Sequence, residues 1–337
     1  MAWARHGLWH GVRALGLKPG EEVLVPAYHH GSEVEAFLRT GLRCRFYDCG
    51  ESLEPDEAIL EALLGPRVRG LHLIHYAGFP QDAARWRRWC DERGLFLIED
   101  AAQAWLAAVG GQPVGSFGDL AVSCLYKTVG LPEGAVVVCR PEGEAVGLPE
   151  VGLDRRLGLR ELGWQHAMWV AGRLRAFYAG ARLRRSGGAY DPAQDFDLRD
   201  PSGGPWATTP FLIRRLSDPE VASRRRRHYS VLLEGLADLV PAPFARLPDG
   251  ACPFMLPISV ARKGEVLARL RRHGVVGLDF WAVPHPSLSD GDFPDAASRR
   301  AATVGLPVHQ ELRESDLERI IVAAREATPS AVGRQAP

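Results

Sequence analysis

Apolar residues over the first 140 positions follow two alternating rhythms. Short, nearly continuous runs have the length and β-branched or aromatic content of strands buried on both faces: EVLVPAY from Glu22, CRFYD from Cys44, RGLHLIHYAG from Arg69, LFLIED from Leu95, DLAVSCLY from Asp119 and GAVVVCR from Gly134. Between them GSEVEAFLRTG, PDEAILEALL and QDAARWRRWCDERG place apolar residues at helical spacing. This alternation predicts the α/β class, a mostly parallel sheet sandwiched by helices. Ligands of such sheets bind outside the carboxyl ends of the strands. His29, His30, Asp100 and Lys127 all fall at or just past expected strand ends.

Beyond residue 150 the rhythm changes. A helical stretch is expected over Leu157 to Arg185, followed by a loop rich in Gly, Pro and Asp, and a further helix from about Ser217 to Leu239. PFMLPISV, GEVLARLRRHG, VGLDFW and ESDLERIIVAARE then suggest a smaller α+β unit. The expected organisation is a large domain over 1–210, a small C-terminal domain over 211–327 and a disordered tail over 328–337.

Composition narrows the choice of function. The formal net charge of zero argues against a nucleic-acid partner held by bulk charge. The RRRR run from Arg224 to Arg227 is expected to be a solvated helix face. Six cysteines show neither a CxxC pair nor a metal-ligand spacing, so no metal is expected. No apolar stretch approaches the ~18 residues of a membrane span, and the cytoplasm is the expected location.

The candidate chemistry begins with a rarity. Of 41 basic residues only Lys18, Lys127 and Lys263 are lysines. Arginine stays protonated, whereas a buried lysine can become a nucleophilic amine. Lys18 and Lys263 read as solvated surface charges, while Lys127 ends an apolar run and precedes a turn marked by Gly130, Pro132 and Gly134. Desolvation is expected to lower its pKa. Glu99 and Asp100 close another strand, with Gln103 following, although an acidic pair there also suits a helix cap. A carboxylate and a lysine on strands of one sheet suit pyridoxal 5′-phosphate (PLP): the amine holds the aldehyde and the acid keeps the ring nitrogen protonated.

PGEEVLVPAYHH, EDAAQAW, VGSFGDLAVS, KTVGLPEGAVVV and LPVHQELRESDLERII, in that order, resemble the DegT/DnrJ/StrS family of PLP-dependent aminotransferases, most clearly from about Leu15 to Arg140. The resemblance implies the aspartate-aminotransferase-like fold, a homodimer, an amino-acid donor such as glutamate or glutamine, and a keto-sugar acceptor, often nucleotide-linked. It implies that Lys127 bonds the cofactor and later carries a proton, that Asp100 meets the ring nitrogen, and that Gln103 lies near the phenolic oxygen. His30 stands where the family stacks an aromatic ring, His29 has a weaker case, and Tyr28 is expected to pack in the core. Glu133 and Gly134 match a turn kept for its backbone shape.

Two departures concern the phosphate. The family serine five residues before the lysine is Val122 here, and Ser123 could replace it only if the strand slips or bulges. The hydroxyl-bearing helix start of the family falls at Trp3, Ala4 and Arg5, leaving Arg5 as a charge-assisted alternative. Trp281 is expected to pack, and His285 and His309 are candidate substrate contacts. The favoured expectation is an aminotransferase; the alternative is a non-catalytic or regulatory paralogue with a degraded phosphate site. Retention of Lys127 counts against a PLP-dependent dehydratase, which tends to carry histidine there. No GxGxxG follows a strand, which excludes a nucleotide-binding dehydrogenase.

Overall fold

The computed structural model describes residues 1–131, 133–140, 147–154, 163, 196–198 and 200–328. Its larger sheet contains β1 (Glu22–Pro26), β2 (Arg43–Tyr47), β3 (Val68–Ile74), β4 (Phe96–Asp100), β7 (Leu120–Cys124) and β8 (Ala135–Cys139). A two-residue hairpin, β5 (Ala108–Val109) and β6 (Gln112–Pro113), interrupts the path from β4 to β7. The strand order is β2-β1-β3-β4-β7-β8, parallel throughout except for β8.

Period-two alternation sends neighbouring residues to opposite cores. Val23, Val25, Ile98, Leu120 and Val122 meet Leu8, Val12 and Phe37 of α1 (Ala4–Ala14) and α2 (Ser32–Arg39). Leu24, Leu71, Leu73 and Leu97 meet Leu60, Trp86 and Trp89 of α3 (Glu57–Leu63) and α4 (Ala83–Arg93). Helix α1 lies so close to the sheet that a Cβ on Gly7 would overlap the Val137 side chain, which explains a glycine inside a helix. The strand order reverses between β1 and β3, opening a crevice outside their carboxyl ends.

The later part forms a three-stranded antiparallel sheet of β9 (Met255–Ser259), β10 (Leu278–Asp279) and β11 (Thr303–Pro307), ordered β10-β11-β9. Around it lie α5 (Thr209–Leu216), α6 (Val221–Leu236), α7 (Lys263–Arg272), α8 (Pro294–Ala302) and α9 (Glu314–Ala327). Tyr229, Leu232, Leu256, Ile258, Leu306 and Ile320 belong to its core, which continues to Tyr28, Ile74 and Tyr76 of the larger sheet. Apart from Gly163, the helix expected over Leu157 to Arg185 lies outside the described residues, as does the terminal segment beyond Thr328.

Two expected surface features, Lys263 and the arginine run, are or include interior groups, and Arg300 is a third buried cation. The side chain of Lys263 is only 10% exposed; its ammonium pairs with Asp279 at 2.6 Å and donates to the carbonyls of Phe280 and Arg300. Arg225, within the supposed solvated run, is buried without a carboxylate partner among the described contacts. It donates to the carbonyls of Lys127, Thr128 and Pro253 and to Gln310 Oε1. Arg300 is likewise buried, gripping the carbonyls of Ala27 and His29 and the Asp290 carboxylate. Among the described residues no helix is long and apolar enough to cross a membrane.

Candidate active site

The ends of β1, β3, β4 and β7, facing the segment Leu278 to Val283, enclose a cavity of about 540 Å³. Lys127, Asp100, Gln103, His30 and Arg5 all line it, so these candidates meet in one place, while Ser123, His29, His285 and His309 lie outside the lining.

Asp100 ends β4, where strand alternation separates it from Glu99. Glu99 is committed to structure: it accepts the amides of Gly115, Phe117 and Gly118 and pairs with His75 at 3.1 Å. The glycine-rich connection to β7 is therefore wrapped around a buried carboxylate. Asp100 Oδ1 accepts the Ala102 amide at 2.8 Å. Burial and the charge of Glu33 raise its pKa to about 6, against the opposing pull of Ala102, Lys127 and His75.

Lys127 sits in the turn after β7, where the Thr128 and Val129 amides bond back to the Leu125 carbonyl. Arg225 holds its own carbonyl, and Arg225 with Gln310 holds that of Thr128. The expected lowering of its pKa is corrected: burial pushes the ammonium down, but Cys124, Tyr126, Asp100 and Glu33 outweigh it and raise the value to about 12. The reason is electrostatic, since the lysine faces groups that become anionic. Its Nζ lies 6.0 Å from the centre of the Phe254 ring.

Gln103 is held by its Oε1, which accepts the Ala77 amide at 2.7 Å. His30 is exposed to the cavity, 3.2 Å from Ser32 Oγ through Nδ1 and edge-on to Phe196 at 5.9 Å. His29 does not line it; buried against Phe46, it bonds the Pro26 carbonyl and its pKa falls to about 4 through burial. Tyr28 packs against Tyr76 and Trp281. Between the histidines and α2, Gly31 adopts φ 112°, a conformation costly for any side chain, with Phe196 packed over it.

The other end of the cavity is sparer. Trp3, Ala4 and Arg5 open α1, whose N-cap carries no side-chain bond, and Arg5 donates to the Asp197 carbonyl at 2.7 Å. Ser123 is outside the lining. Strand β7 pairs with β8 residue for residue from Leu120↔Cys139 to Cys124↔Ala135, so the slip or bulge that would bring Ser123 round is absent and its candidacy is withdrawn. Val122 packs with Leu8 and Val12 instead.

On the facing wall Trp281, expected only to pack, both stacks on Phe280 at 4.4 Å and lines the cavity. His285 is engaged with Glu35 and Ser287, and His309 with the Glu311 amide; neither lines it. Glu33, Ser32, His75, Phe196 and Phe254 also line the cavity and were missed. Glu33 could be read from HHGSE as a helix-capping acid, and it does accept the His30 and Gly31 amides at 2.9 and 3.1 Å. Its proximity to Asp100 had no sequence signal, because it depends on how α2 lies on β4. Glu33, His72 and Asp100 bring one donor atom each within 4.8 Å of one another.

These residues fit PLP at the ring end, where an acid, an amine and an amide share one cavity. At the phosphate end the described residues offer Arg5 and the uncapped first turn of α1, a cationic and amide-rich setting without the expected hydroxyl.

The fold is that of PLP-dependent sugar aminotransferases. A structure described as the putative sugar aminotransferase Spr1654 from Streptococcus pneumoniae, in its PMP form, superposes with a TM-score of 0.69 at 16% identity, covering 97% of this chain and 86% of that one. Residues 3–145 match the family model described as the DegT/DnrJ/EryC1/StrS aminotransferase family. GDP-perosamine synthase of Vibrio cholerae is 34% identical over 128 residues, which span 37% of this chain and 35% of that protein. The dTDP-3-amino-3,4,6-trideoxy-alpha-D-glucose transaminase of Streptomyces venezuelae is 25% identical, with 94% of this chain and 78% of that protein covered. Where identity exceeds 30%, the alignment spans less than half the length of the curated relatives.

Proposed function

We propose that the protein is a PLP-dependent aminotransferase that moves the amino group of an amino acid, glutamate or glutamine, onto a keto sugar or a related biosynthetic precursor, with a nucleotide-linked sugar as the favoured acceptor. The observation that carries the reading is the meeting of Lys127 and Asp100, with Gln103 beside them, in one cavity at the strand ends. Relatives named as sugar transaminases, and one named as a spore coat polysaccharide biosynthesis protein, support the same direction.

The cofactor, when bound, supplies an aldehyde for the amino nitrogen and a ring that withdraws electrons from the adjacent carbon. Asp100 holds the ring nitrogen and its proton. Lys127 supplies the amine that anchors the aldehyde and, once released, moves a proton at its Nζ. Burial favours the free amine, but Cys124, Tyr126, Asp100 and Glu33 together favour the ammonium, and a cation set against Asp100 would weaken one part of that hold. Gln103 orients the phenolic side, His30 covers one ring face, and Arg5 with the first turn of α1 receives the phosphate. The unit over 1–210 binds the cofactor and that over 211–327 supplies the facing wall. A homodimer working in the cytoplasm completes the reading.

Borohydride reduction of the yellow, PLP-loaded protein tests it. The colour should bleach and peptide mapping should find the label on Lys127. A label elsewhere, or a protein that develops no visible band with PLP, would overturn the assignment. Half-reactions with glutamate, glutamine and alanine then identify the donor, and sedimentation analysis tests the dimer.

A further inference from the structure

The least expected group near Asp100 is a second carboxylate. Glu33 comes from the start of α2, His72 from the middle of β3 and Asp100 from the end of β4, and all three are turned into the same narrow space. His72 has 0% exposure, neither ring nitrogen has a hydrogen-bond partner, and Nε2 lies 3.8 Å from Asp100 Oδ2. Phe37 meets the imidazole edge-on at 5.2 Å, supplying an apolar contact and no partner. Glu33 is fixed by the His30 and Gly31 amides, so its charge cannot swing away from the pair.

We propose that Glu33 is a positioning residue: a second, fixed anion that, across His72, strengthens the hold of Asp100 on the protonated ring nitrogen of PLP. The inference rests on the reading that Asp100 meets that nitrogen. Two carboxylates at this separation repel, with the Lys127 ammonium set against them before any ligand arrives. Either a proton or a protonated ring relieves that repulsion, and Glu33 increases the affinity for both. His72 stands beside the acids with its Nε2 3.8 Å from Asp100 Oδ2, outside hydrogen-bond distance, so its contribution is electrostatic and depends on its protonation.

The neighbouring groups are consistent with this assignment. Facing the two acids are His72 and His75 from β3, Lys127 and Cys124 from the end of β7, and His29 and His30 from the loop before α2. Burial would raise the Glu33 pKa, but the surrounding histidines and its own backbone amide bring it below the ordinary carboxylate range. The charge that influences Asp100 is therefore present throughout the neutral range, whereas Asp100 itself is raised to about 6.

The test reads the proton rather than turnover. Wild type, Glu33→Gln, Glu33→Asp and His72→Leu are loaded with PLP carrying 15N in its ring, and the ring-nitrogen shift is followed over roughly pH 6 to 10. In E33Q the protonated signal should be lost at a pH lower by about one unit or more. E33D, which keeps the charge, should lie near wild type, and H72L should show a smaller change. An unchanged midpoint in E33Q overturns the proposal. So does stoichiometric Zn²⁺ uptake by the cofactor-free protein that E33Q and H72L abolish while leaving the midpoint alone, since the three donors would then be a cation site.

If E33Q does not fold, the wild-type protein still decides. The Asp100 carboxyl, assigned through Asp100→Asn, should titrate near 6 in the cofactor-free state, and a midpoint at or below the ordinary 3.8 overturns the role of Glu33. Failure of the parent reading looks different. In that case wild type itself yields no borohydride-trapped label on Lys127, whatever the variants do.

Discussion

The two ends of the cavity are built on different principles. At the ring end, side chains from α2, β3, β4 and the turn after β7 bring two acids, two histidines and an amine together, and most of them are buried. At the other end the first turn of α1 and Arg5 stand almost alone, and Val122 turns its methyl groups into the core behind them. The contrast teaches that binding strength here is concentrated where charge is shared. The phosphate, which two or three backbone amides and one guanidinium can satisfy, needs less machinery than a proton held on a weakly basic nitrogen.

Breaking the richer end should have the largest effect. Lys127→Ala removes the only amine in the described lining, and half-reaction rates with glutamate should fall by about 10³-fold or more, with no borohydride label. Asp100→Asn should follow, with a loss on the order of 10²-fold in the same assay.

The same substitution makes a pH prediction. Asp100 titrates at about 6 in the folded protein against an ordinary 3.8. Its protonated form therefore helps the fold fully below the lower value, and that help is lost as pH rises through the upper one. D100N, neutral at every pH, should gain on cofactor-free wild type by about 2 kcal/mol between about pH 4.5 and 7.5, read from urea midpoints.

The sparer end should respond more mildly. Arg5→Met should weaken PLP binding by roughly tenfold, measured by equilibrium dialysis, while leaving the absorption maximum in place. Val122→Ser sharpens the comparison in the opposite direction. It should cost about 1 kcal/mol or more of stability for burying a hydroxyl in the α1 core, and it tightens PLP binding only if that hydroxyl reaches the cavity, which Val122 itself does not line. If V122S binds PLP no better while R5M still weakens it, the helix start rather than the strand holds the phosphate.

What was legible in the sequence follows the same division. Asp100 and Lys127 could be found because each ends a short apolar run, and strand ends are where open α/β sheets place their ligands. Strand β11 escaped because TVGLP is five residues long with a central glycine and a terminal proline, a pattern that reads as loop until β9 and β10 flank it. Arg225 escaped because four consecutive arginines resemble a wet helix face, and only the packing of α6 decides which one turns inward. The Lys127 pKa was misjudged in sign for a related reason. Desolvation can be anticipated from one apolar run, whereas two of the opposing groups, Asp100 and Glu33, come from two other elements, β4 and α2. Ser123 failed on register, which a regular β7–β8 pairing fixes and a linear string does not.

The buried arginines carry one more consequence. Arg225 and Arg300 reach from the later half of the chain to carbonyls past the carboxyl ends of β7 and β1, beside Lys127 and beside His29. Arg225 spends its cation on neutral acceptors alone and Arg300 adds the Asp290 carboxylate to two carbonyls, so undoing either one leaves a buried charge short of partners. The wall bearing Trp281 is thereby fastened at two corners, like a lid screwed down rather than hinged. Among the described residues, moving that wall away from the strand ends would mean breaking both sets of bonds at once.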